Sequence, residues 1–335
     1  MKKSLLDILL CPCCRKSPLQ LSVEIQGPLE VLAGKLTCDR CSKKFEVERG
    51  VPDLLFQPSE IIVNEVAGNQ EMLEKERKTF GDEWLLGLPA KFKPKGERIE
   101  INTSDAIGKL KLTGKETILE LGAGTTWLSA RLANSFGCNV VATDILREKF
   151  IGLESADVYM NRLGTFYERM LCQMERLPFQ NNTFDIVICY ASIHHAERIL
   201  DAFAEASRVL KTGGRFVLLH EGVSGVLRNN SVIGYDYQSK NPYEWNEHTY
   251  WAAGYLRLAR RFGLDPRVFW PAFLLNLDAL GEQNFADMSF GAIAKRLVPL
   301  FKLNCVKRLF DTKLLLMFAL FFFGIPLNMI ATKRG

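Results

Sequence analysis

This chain of 335 residues lacks a convincing secretion signal and internal repeats. It also has no low-complexity block outside its C-terminal residues. The first residues, MKKSLLDILLC, imitate a lipoprotein signal, but their apolar stretch is short and contains Asp7. Leu10 is also not the small residue that cleavage before Cys11 requires. We therefore expect a cytoplasmic N-terminus, where the nine cysteines are thiols or metal ligands rather than disulfides.

Net positive charge is also lacking in most of the chain, although the formal net charge is +5. Residues 291–335 contain eight Lys or Arg residues and one acid, so residues 1–290 carry a net charge of −2. Affinity for a phosphate backbone comes from Lys and Arg side chains that displace counterions. We therefore do not expect nucleic acid as a partner. The length and composition predict a globular protein of about two domains.

Two C-x-x-C pairs near the N-terminus are candidates for a metal site. Four thiolates about 2.3 Å from one Zn²⁺ form the usual closed structural site. A redox C-x-x-C motif and unrelated buried thiols are the alternatives, but two pairs beside turn-forming or basic residues favour structural zinc. A segment of about 60 residues has little core, so bound metal would supply much of its folding free energy. The predicted zinc ligands are Cys11, Cys14, Cys38 and Cys41.

This head, together with the sequence GVPDLL at Gly50–Leu55, resembles the small zinc-ribbon segments found beside or fused to methyltransferases, including those that modify tRNA and rRNA. The resemblance implies a structural or interaction module at residues 1–58 and says little about chemistry. Residues 59–112 change to charged, helix-prone sequence, and we interpret them as a helical connector.

Residues 115–145 (KETILELGAGTTWLSARLANSFGCNVVATDI) predict a strand, a glycine turn, a helix and a second strand. Gly122 and Gly124 let the backbone pass close to a ligand, and N–H groups of the following helix can bind it. Asp144 ends the second strand 20 residues after Gly124, where a carboxylate can accept hydrogen bonds from both hydroxyls of a ribose. These features fit either NAD or S-adenosylmethionine (SAM).

Three further features favour SAM over NAD. A dinucleotide fingerprint has a third glycine under the pyrophosphate, but Trp127 stands at that position. Glu120 would repel a pyrophosphate, whereas the positive charge of SAM tolerates an acid nearby. Residues 174–222 then predict a loop, a strand at Ile186–Tyr190, an amphipathic helix, a Gly-Gly turn and a strand at Phe216–His220.

Ile118–Gly222 resembles a class I SAM-dependent methyltransferase of the type 11 branch, which contains quinone-biosynthesis enzymes and many glycan and small-molecule enzymes. The resemblance implies an α/β Rossmann-like sheet over residues 113–275. It also implies that the ELGAG loop holds the methionine part of SAM, that Asp144 binds the ribose and that the residues before LPF line the adenine. The family often has Asp where Gln173 stands. The implied cofactor-binding residues are Glu120, Gly122, Ala123, Gly124, Asp144, Gln173, Met174 and Glu175.

All four histidines fall between residues 194 and 248, and three of them stand at the ends of predicted strands, where open α/β sheets bind ligands. In methyl transfer the protein aligns the acceptor and, for a hydroxyl, takes its proton. A histidine suits this role at neutral pH, so His195 and His248 are the candidate catalytic bases. A structural role for the His-His pair, and simple packing of the aromatic segment Tyr235–Trp251, are the alternatives.

The chain ends in a run that is unusually apolar for an enzyme. Leu314–Ala331 contains one strongly polar side chain, Asn328, and at about 1.5 Å per residue it is just long enough to cross a hydrocarbon core. The basic, amphipathic segment 276–313 before it suits anionic headgroups. We expect residues 314–332 to form a hydrophobic helix at the inner face of a membrane, either spanning it or inserted at its surface. A buried helix or helix pair is the alternative.

The sequence thus predicts an α/β Rossmann-like methyltransferase, with a zinc-ribbon-like β domain before it and a hydrophobic C-terminal helix after it. The predicted function is SAM-dependent O-methylation of a small-molecule, glycan or lipid-linked acceptor at a membrane. An RNA base methyltransferase and a non-catalytic SAM-fold scaffold are the alternatives. The near-neutral charge of the head argues against RNA, and Gly122, Gly124 and Asp144 argue against a scaffold. The sequence predicts no oligomeric state.

Overall fold

The structure, a computed structural model, describes residues 1–77, 80–92, 96–226, 246–275 and 312–335. Most of the predicted basic segment 276–313 and most of the aromatic segment 235–251 therefore lie outside the described residues. Within the described residues, the chain forms a small N-terminal antiparallel sheet and a larger mixed sheet with helices around it.

The N-terminal unit is a four-stranded antiparallel sheet that follows a 3-10 turn at Lys3–Ile8. Its strands are β1 (Leu19–Gln26), β2 (Val31–Cys38), β3 (Lys44–Glu48) and β4 (Val51–Pro52), and they pair in that order. Phe45 and Val47 alternate with exposed residues along β3, because successive side chains of a strand point to opposite faces. The predicted small β domain is confirmed.

The predicted connector contains three helices. They are α1 (Glu60–Glu76), α2 (Asp82–Leu86) and α3 (Gly96–Leu110). Ser59 caps α1, since its Oγ accepts a hydrogen bond from the Ile62 N–H at 3.3 Å. These helices are more than a linker, because α1 reaches the carboxyl edge of the large sheet and α3 packs against it.

The large sheet has seven strands and confirms the Rossmann-like fold. Its strands are β5 (Thr117–Leu121), β6 (Asn139–Asp144), β7 (Glu168–Leu171), β8 (Phe184–Tyr190), β9 (Leu210–Glu221), β12 (Leu264–Phe269) and β13 (Leu327–Lys333). They lie in the order β12-β13-β9-β8-β5-β6-β7, and β13 alone runs antiparallel to its neighbours. Strands β5, β6 and β8 are almost wholly buried because helices cover both faces of such a sheet.

The remaining elements surround this sheet. The helices are α4 (Trp127–Phe136), α5 (Ala156–Leu163), α6 (Ile199–Val209), α7 (Ala252–Arg261), α8 (Ala272–Leu275) and α9 (Lys313–Phe323). A short parallel pair of strands, β10 (Val223–Ser224) and β11 (Tyr250–Trp251), lies at the carboxyl edge. Helix α7 leads into β12, which pairs with β13 at the edge of the large sheet.

The apolar tail does not form the single helix predicted over residues 314–332. Helix α9 ends at Gly324, which adopts a left-handed conformation with φ 56°, and β13 then enters the sheet between β9 and β12. Its apolar character comes from burial on both faces of the sheet, so the expectation of a membrane-spanning segment here is wrong. In the part of the chain described, no helix combines the length and apolar character needed to cross a membrane. Contact with a membrane surface and a cytoplasmic location stay predictions.

Asn328, the polar residue within the apolar run, has a packing role. Its side chain is buried and exchanges two hydrogen bonds with the Asn102 side chain of α3, at 2.7 and 3.2 Å. Its Oδ1 also accepts the His220 N–H at 3.0 Å. Asn328 therefore ties β13 to α3 and β9. The large sheet therefore includes a strand that lies beyond the predicted domain boundary at residue 275.

The N-terminal unit packs directly on the edge of the large sheet. The Leu54 N–H donates to the Leu171 carbonyl at 2.9 Å, and the Gln180 N–H donates to the Ile8 carbonyl at the same distance. The two units share one hydrophobic cluster, which includes Leu9, Leu36 and Phe45 on one side and Phe179, Phe184 and Phe203 on the other. The head is therefore an integral part of the folded chain.

Candidate functional site

A pocket of about 300 Å³ opens at the carboxyl edge of the large sheet. This is the edge at which open α/β sheets bind ligands, because loops after adjacent strands diverge there. Loops after β5, β6, β7 and β8 contribute to its wall. The described residues that line it are Ile62, Glu65, Asn69, Gly122, Thr143, Asp144, Ile145, Leu146, Cys172, Met174, Glu175, Ala191, Ser192, His195, Ala196, Glu197 and Glu247.

Gly122 forms the turn after β5 and requires a glycine. Its φ of +65° lies in the left-handed region, which side chains rarely adopt. A Cβ atom at this position would also lie 2.6 Å from the Ser192 Cβ. Because Ser192 is itself fixed by a hydrogen bond from its Oγ to the Leu121 carbonyl at 2.7 Å, the two loops meet without space for a side chain.

Asp144 lies at the end of β6 with its carboxylate held by the backbone. Oδ2 accepts the Gly124 N–H at 2.6 Å and Oδ1 accepts the Leu146 N–H at 2.8 Å. Burial raises the pKa of Asp144 to about 6, although these backbone N–H groups oppose the shift. Each oxygen retains a further lone pair for a ligand hydroxyl, and the carboxylate faces the pocket.

Glu120 lies beneath the glycine loop and does not line the pocket. It is buried, it accepts a hydrogen bond from the Ser129 Oγ of α4, and burial raises its pKa to about 8. A neutral carboxyl here holds the loop to the helix. Of the predicted cofactor residues, the lining contains Gly122, Asp144, Met174 and Glu175, and it does not contain Glu120, Ala123, Gly124 or Gln173.

Helix α1 forms a wall of the pocket that sequence reasoning missed. Ile62, Glu65 and Asn69 face the pocket, since residues three and four apart lie on one side of a helix. At the start of the helix, the Ser59 Oγ donates to Glu197 Oε2 at 2.6 Å. The sequence shows which residues share a face of α1 with Glu65. It does not show which part of the folded chain that face packs against.

His195 lies in the pocket wall between two carboxylates. Its Nδ1 is 2.9 Å from Glu65 Oε1, and its Nε2 is 3.9 Å from Glu247 Oε1. Burial lowers the pKa of His195, but the two carboxylates outweigh burial, and the pKa lies above its ordinary value. The structure thus brings one predicted catalytic residue to the pocket.

His248, the other predicted catalytic residue, is not among the residues that line the pocket. Its Nε2 lies 2.9 Å from Asn246 Oδ1, and the Asn246 Nδ2 in turn donates to the His195 carbonyl at 2.6 Å. Burial and the two neighbouring histidines lower the pKa of His248. The contact supports the loop that carries Glu247.

The four predicted metal ligands converge in the N-terminal unit. The Sγ atoms of Cys11, Cys14, Cys38 and Cys41 all lie within 4.8 Å of one another. Two of these separations are 3.6 Å and 3.7 Å. Thiolates 2.3 Å from a tetrahedral Zn²⁺ are about 3.8 Å apart, so the arrangement fits zinc. Cys13 lies outside the cluster.

A single arginine connects this cysteine site to the pocket. Arg176 follows the lining residue Glu175, its Nε donates to the Pro12 carbonyl at 2.6 Å, and its Nη2 donates to the Cys13 carbonyl at 2.9 Å. Both carbonyls belong to the turn between Cys11 and Cys14. The loop after β7 is therefore fastened at one end to the first metal-binding turn.

Two family models match the chain where the structure places its two units. Residues 119–218 match the family described as a methyltransferase domain, and residues 2–50 match the family of Trm112p-like proteins. The chain carries a class I methyltransferase domain. A solved structure of phosphoethanolamine N-methyltransferase 2 from Haemonchus contortus shares the fold, with a TM-score of 0.51 and 15% identity. The similarity covers 87% of this chain and 64% of that structure.

Curated relatives of the methyltransferase domain act on different acceptors. The malonyl-[acyl-carrier protein] O-methyltransferase of Hahella chejuensis is 32% identical over 103 residues, which are 30% of this chain and 35% of the relative. The ubiquinone/menaquinone biosynthesis C-methyltransferase UbiE of Bartonella bacilliformis is 28% identical over 103 residues, which are 30% of this chain and 40% of the relative. The chain thus spans less than half the length of these relatives.

Proposed function

We propose that the chain is a SAM-dependent methyltransferase that transfers a methyl group to an oxygen atom of a small-molecule, glycan or lipid-linked acceptor. The observation that supports this most is the pocket in which Gly122, Asp144, Met174 and Glu175 meet at the carboxyl edge of the methyltransferase sheet. Asp144 would accept hydrogen bonds from the ribose hydroxyls, and the loop at Met174 and Glu175 would line the adenine.

We assign the acceptor to the part of the pocket lined by Glu65, His195 and Glu247, which we name the acceptor side. Ser192 and the glycine turn also line the pocket. In methyl transfer, the acceptor oxygen forms a bond to the methyl carbon as the C–S bond breaks and its electron pair stays on sulfur. The acceptor hydroxyl would give its proton to a carboxylate that lines the pocket. The protein would align these atoms and exclude water.

Acceptor choice would depend on residues outside the matched domain. Glu65 of α1 and Glu247 lie before and after residues 119–218, which match the methyltransferase family. Relatives that share this domain are named for methylation of oxygen, carbon and nitrogen. The cofactor side is therefore the common part, and α1 with the loop around Glu247 would distinguish one acceptor from another.

The cofactor assignment is tested by calorimetric titration of SAM into the full chain. We expect Asp144→Ala to weaken binding by about 100-fold or more, because hydrogen bonds to a charged group contribute about 1.5–3 kcal/mol each. Asp265→Ala, a change at an ion pair on the edge strand β12, should leave the affinity unchanged. Equal affinity of wild type and Asp144→Ala would overturn the ribose assignment, and a wild type that does not bind SAM would favour a scaffold.

We also propose that Cys11, Cys14, Cys38 and Cys41 bind one structural zinc ion. The Sγ separations and the match to Trm112p-like proteins support this assignment. Elemental analysis should show one fewer zinc ion per chain in Cys38→Ser than in wild type. Cys13→Ser is the matched control, since Cys13 lies outside the cluster, and it should retain the zinc. Equal zinc content in Cys38→Ser and wild type would contradict the assignment.

A further inference from the structure

A second group of candidate metal-ligand side chains lies at the pocket, and we name it the His-His-Glu cluster: His194, His195 and Glu247. His195 and Glu247 line the pocket, and His194 lies next to them outside the lining. One ligand atom from each residue lies within 4.8 Å of the other two. The Nε2 of His195 is 3.9 Å from Glu247 Oε1. Ligand atoms around a tetrahedral ion with bonds of about 2.1 Å are about 3.4 Å apart, so small side-chain rotations would complete the geometry.

His194 is held as a metal-ligating histidine usually is. Its Nδ1 lies 2.7 Å from Oε2 of Glu221, a carboxylate with no exposed surface. Oε1 of Glu221 accepts the N–H groups of Ser192 and Ile193 at 2.9 and 3.2 Å. Because the carboxylate occupies Nδ1, Nε2 is the nitrogen left for an ion. A buried carboxylate that orients an imidazole in this way is typical of metal sites.

The third member is fixed by its neighbour in sequence. Asn246 donates from Nδ2 to the His195 carbonyl at 2.6 Å, so the segment that carries Glu247 is fastened to the histidine turn. Glu65 Oε1 lies 2.9 Å from His195 Nδ1, so a carboxylate also stands beside this histidine, although Nδ1 makes no hydrogen bond among the described residues. Of the two histidines, His195 points its Nε2 toward Glu247, at 3.9 Å from Oε1.

The negative charge of the pocket also favours a bound cation in addition to SAM. Five carboxylates are among the described residues that line it, and none of those residues is a lysine or an arginine. The sulfonium of SAM supplies one positive charge. Glu65 and Asp144 are buried, and a divalent ion would supply further positive charge beside them. The five are Glu65, Asp144, Glu175, Glu197 and Glu247.

We propose that His194, His195 and Glu247 bind a divalent first-row transition-metal ion beside the methyl-donor site. Two imidazoles and one carboxylate suit Zn²⁺, Fe²⁺ or Mn²⁺ and leave coordination positions open. An oxygen-bearing acceptor is the chemical class that such an open ion would hold next to SAM. In this assignment His195 is a metal ligand and does not act as the general base. The ion site stands without the proposed function, whereas its role in holding the acceptor rests on it.

Equilibrium dialysis of the full chain against Zn²⁺, followed by elemental analysis, tests the site. We expect two zinc ions per chain in wild type and one in His195→Gln and in Glu247→Gln. The matched control is Glu197→Gln, a carboxylate of the same pocket outside the cluster. It should retain two zinc ions.

The proposal would be overturned if the wild type binds one zinc ion and Cys38→Ser binds none. It would also be overturned if the control variant loses as much zinc as its matched cluster variant. SAM titration of the same samples distinguishes the two proposals. Retained SAM affinity in His195→Gln and Glu247→Gln shows that the loss of zinc is local and supports the site. Two bound ions in a wild type that fails to bind SAM would support the ion site and overturn the proposed function.

Discussion

The two sides of the pocket are built in different ways. The cofactor side comes from one continuous stretch in which strands β5 to β8 alternate with turns, so each lining residue stands next to the strand that positions it. The acceptor side joins helix α1, the turn after β8 and the loop at Glu247, which are far apart in sequence. A local motif is therefore sufficient to identify the cofactor side, whereas the acceptor side exists only in the folded chain.

Gly122→Ala should produce the largest effect, because it changes the local motif itself. The alanine would be forced to φ +65° with its Cβ 2.6 Å from the Ser192 Cβ. We expect SAM binding to weaken by about 100-fold, or about 2.7 kcal/mol. Calorimetry measures this. Gly108→Ala, on an exposed face of α3 with no atom near the added Cβ, is the control and should bind SAM normally. Similar affinities for the two variants would show that the turn has room.

Asn328→Ala should produce the next largest effect, a loss of stability. Asn328 joins β13 to α3 and β9, which are far from it in sequence. The change leaves the buried Asn102 side chain and the His220 N–H without their partner. We expect the free energy of unfolding to fall by about 2 kcal/mol, measured by urea denaturation. Leu314→Ala, at a side chain that is 82% exposed in the same tail, should change it by less than about 0.5 kcal/mol. A stable Asn328→Ala would mean that β13 is dispensable.

SAM affinity should depend on pH because the Asp144 carboxyl titrates. The pKa of Asp144 is raised to about 6 by burial, with the nearby Glu65 adding to the shift. Above this pH the carboxylate is ionised and accepts from ribose, whereas at pH 5 it is mostly protonated, so binding should be about tenfold weaker than at pH 7. Asp144→Asn has no such group. If its affinity follows pH in the same way as that of wild type, another residue is responsible.

Arg176→Ala should give the smallest of these effects, since Arg176 does not line the pocket and only holds the loop that does. The change removes the two hydrogen bonds to Pro12 and Cys13 that fasten the loop after β7 to the first cysteine turn. We expect SAM binding to weaken about fivefold, or about 1 kcal/mol. Arg198→Ala, at an arginine that is 72% exposed near the pocket, should bind as wild type does. An unchanged Arg176→Ala would mean that the head does not support the loop.

The sequence was sufficient for features that depend on neighbours in the chain. The strands around the glycine turn, the position of Asp144 and the four cysteines follow from spacing and periodicity, and the structure places them as expected. It was insufficient for Glu65 and Glu247, because which face of α1 meets the pocket is a property of packing. It also misled for residues 314–332, since a strand buried on both faces is as apolar as a membrane segment.

Because β13 lies between β9 and β12 in the sheet but comes last of its strands in the chain, the sheet can be completed only late in translation. Its neighbour β9 leaves the ribosome roughly 100 residues earlier, so at ~5–20 residues per second one edge of the sheet waits about 5–20 s for its partner. During that interval an apolar strand edge is bare, and such edges pair readily with other chains. A nascent chain that stalls before residue 327 would hold an unfinished sheet, so we expect premature termination in this region to yield aggregates rather than a weaker enzyme.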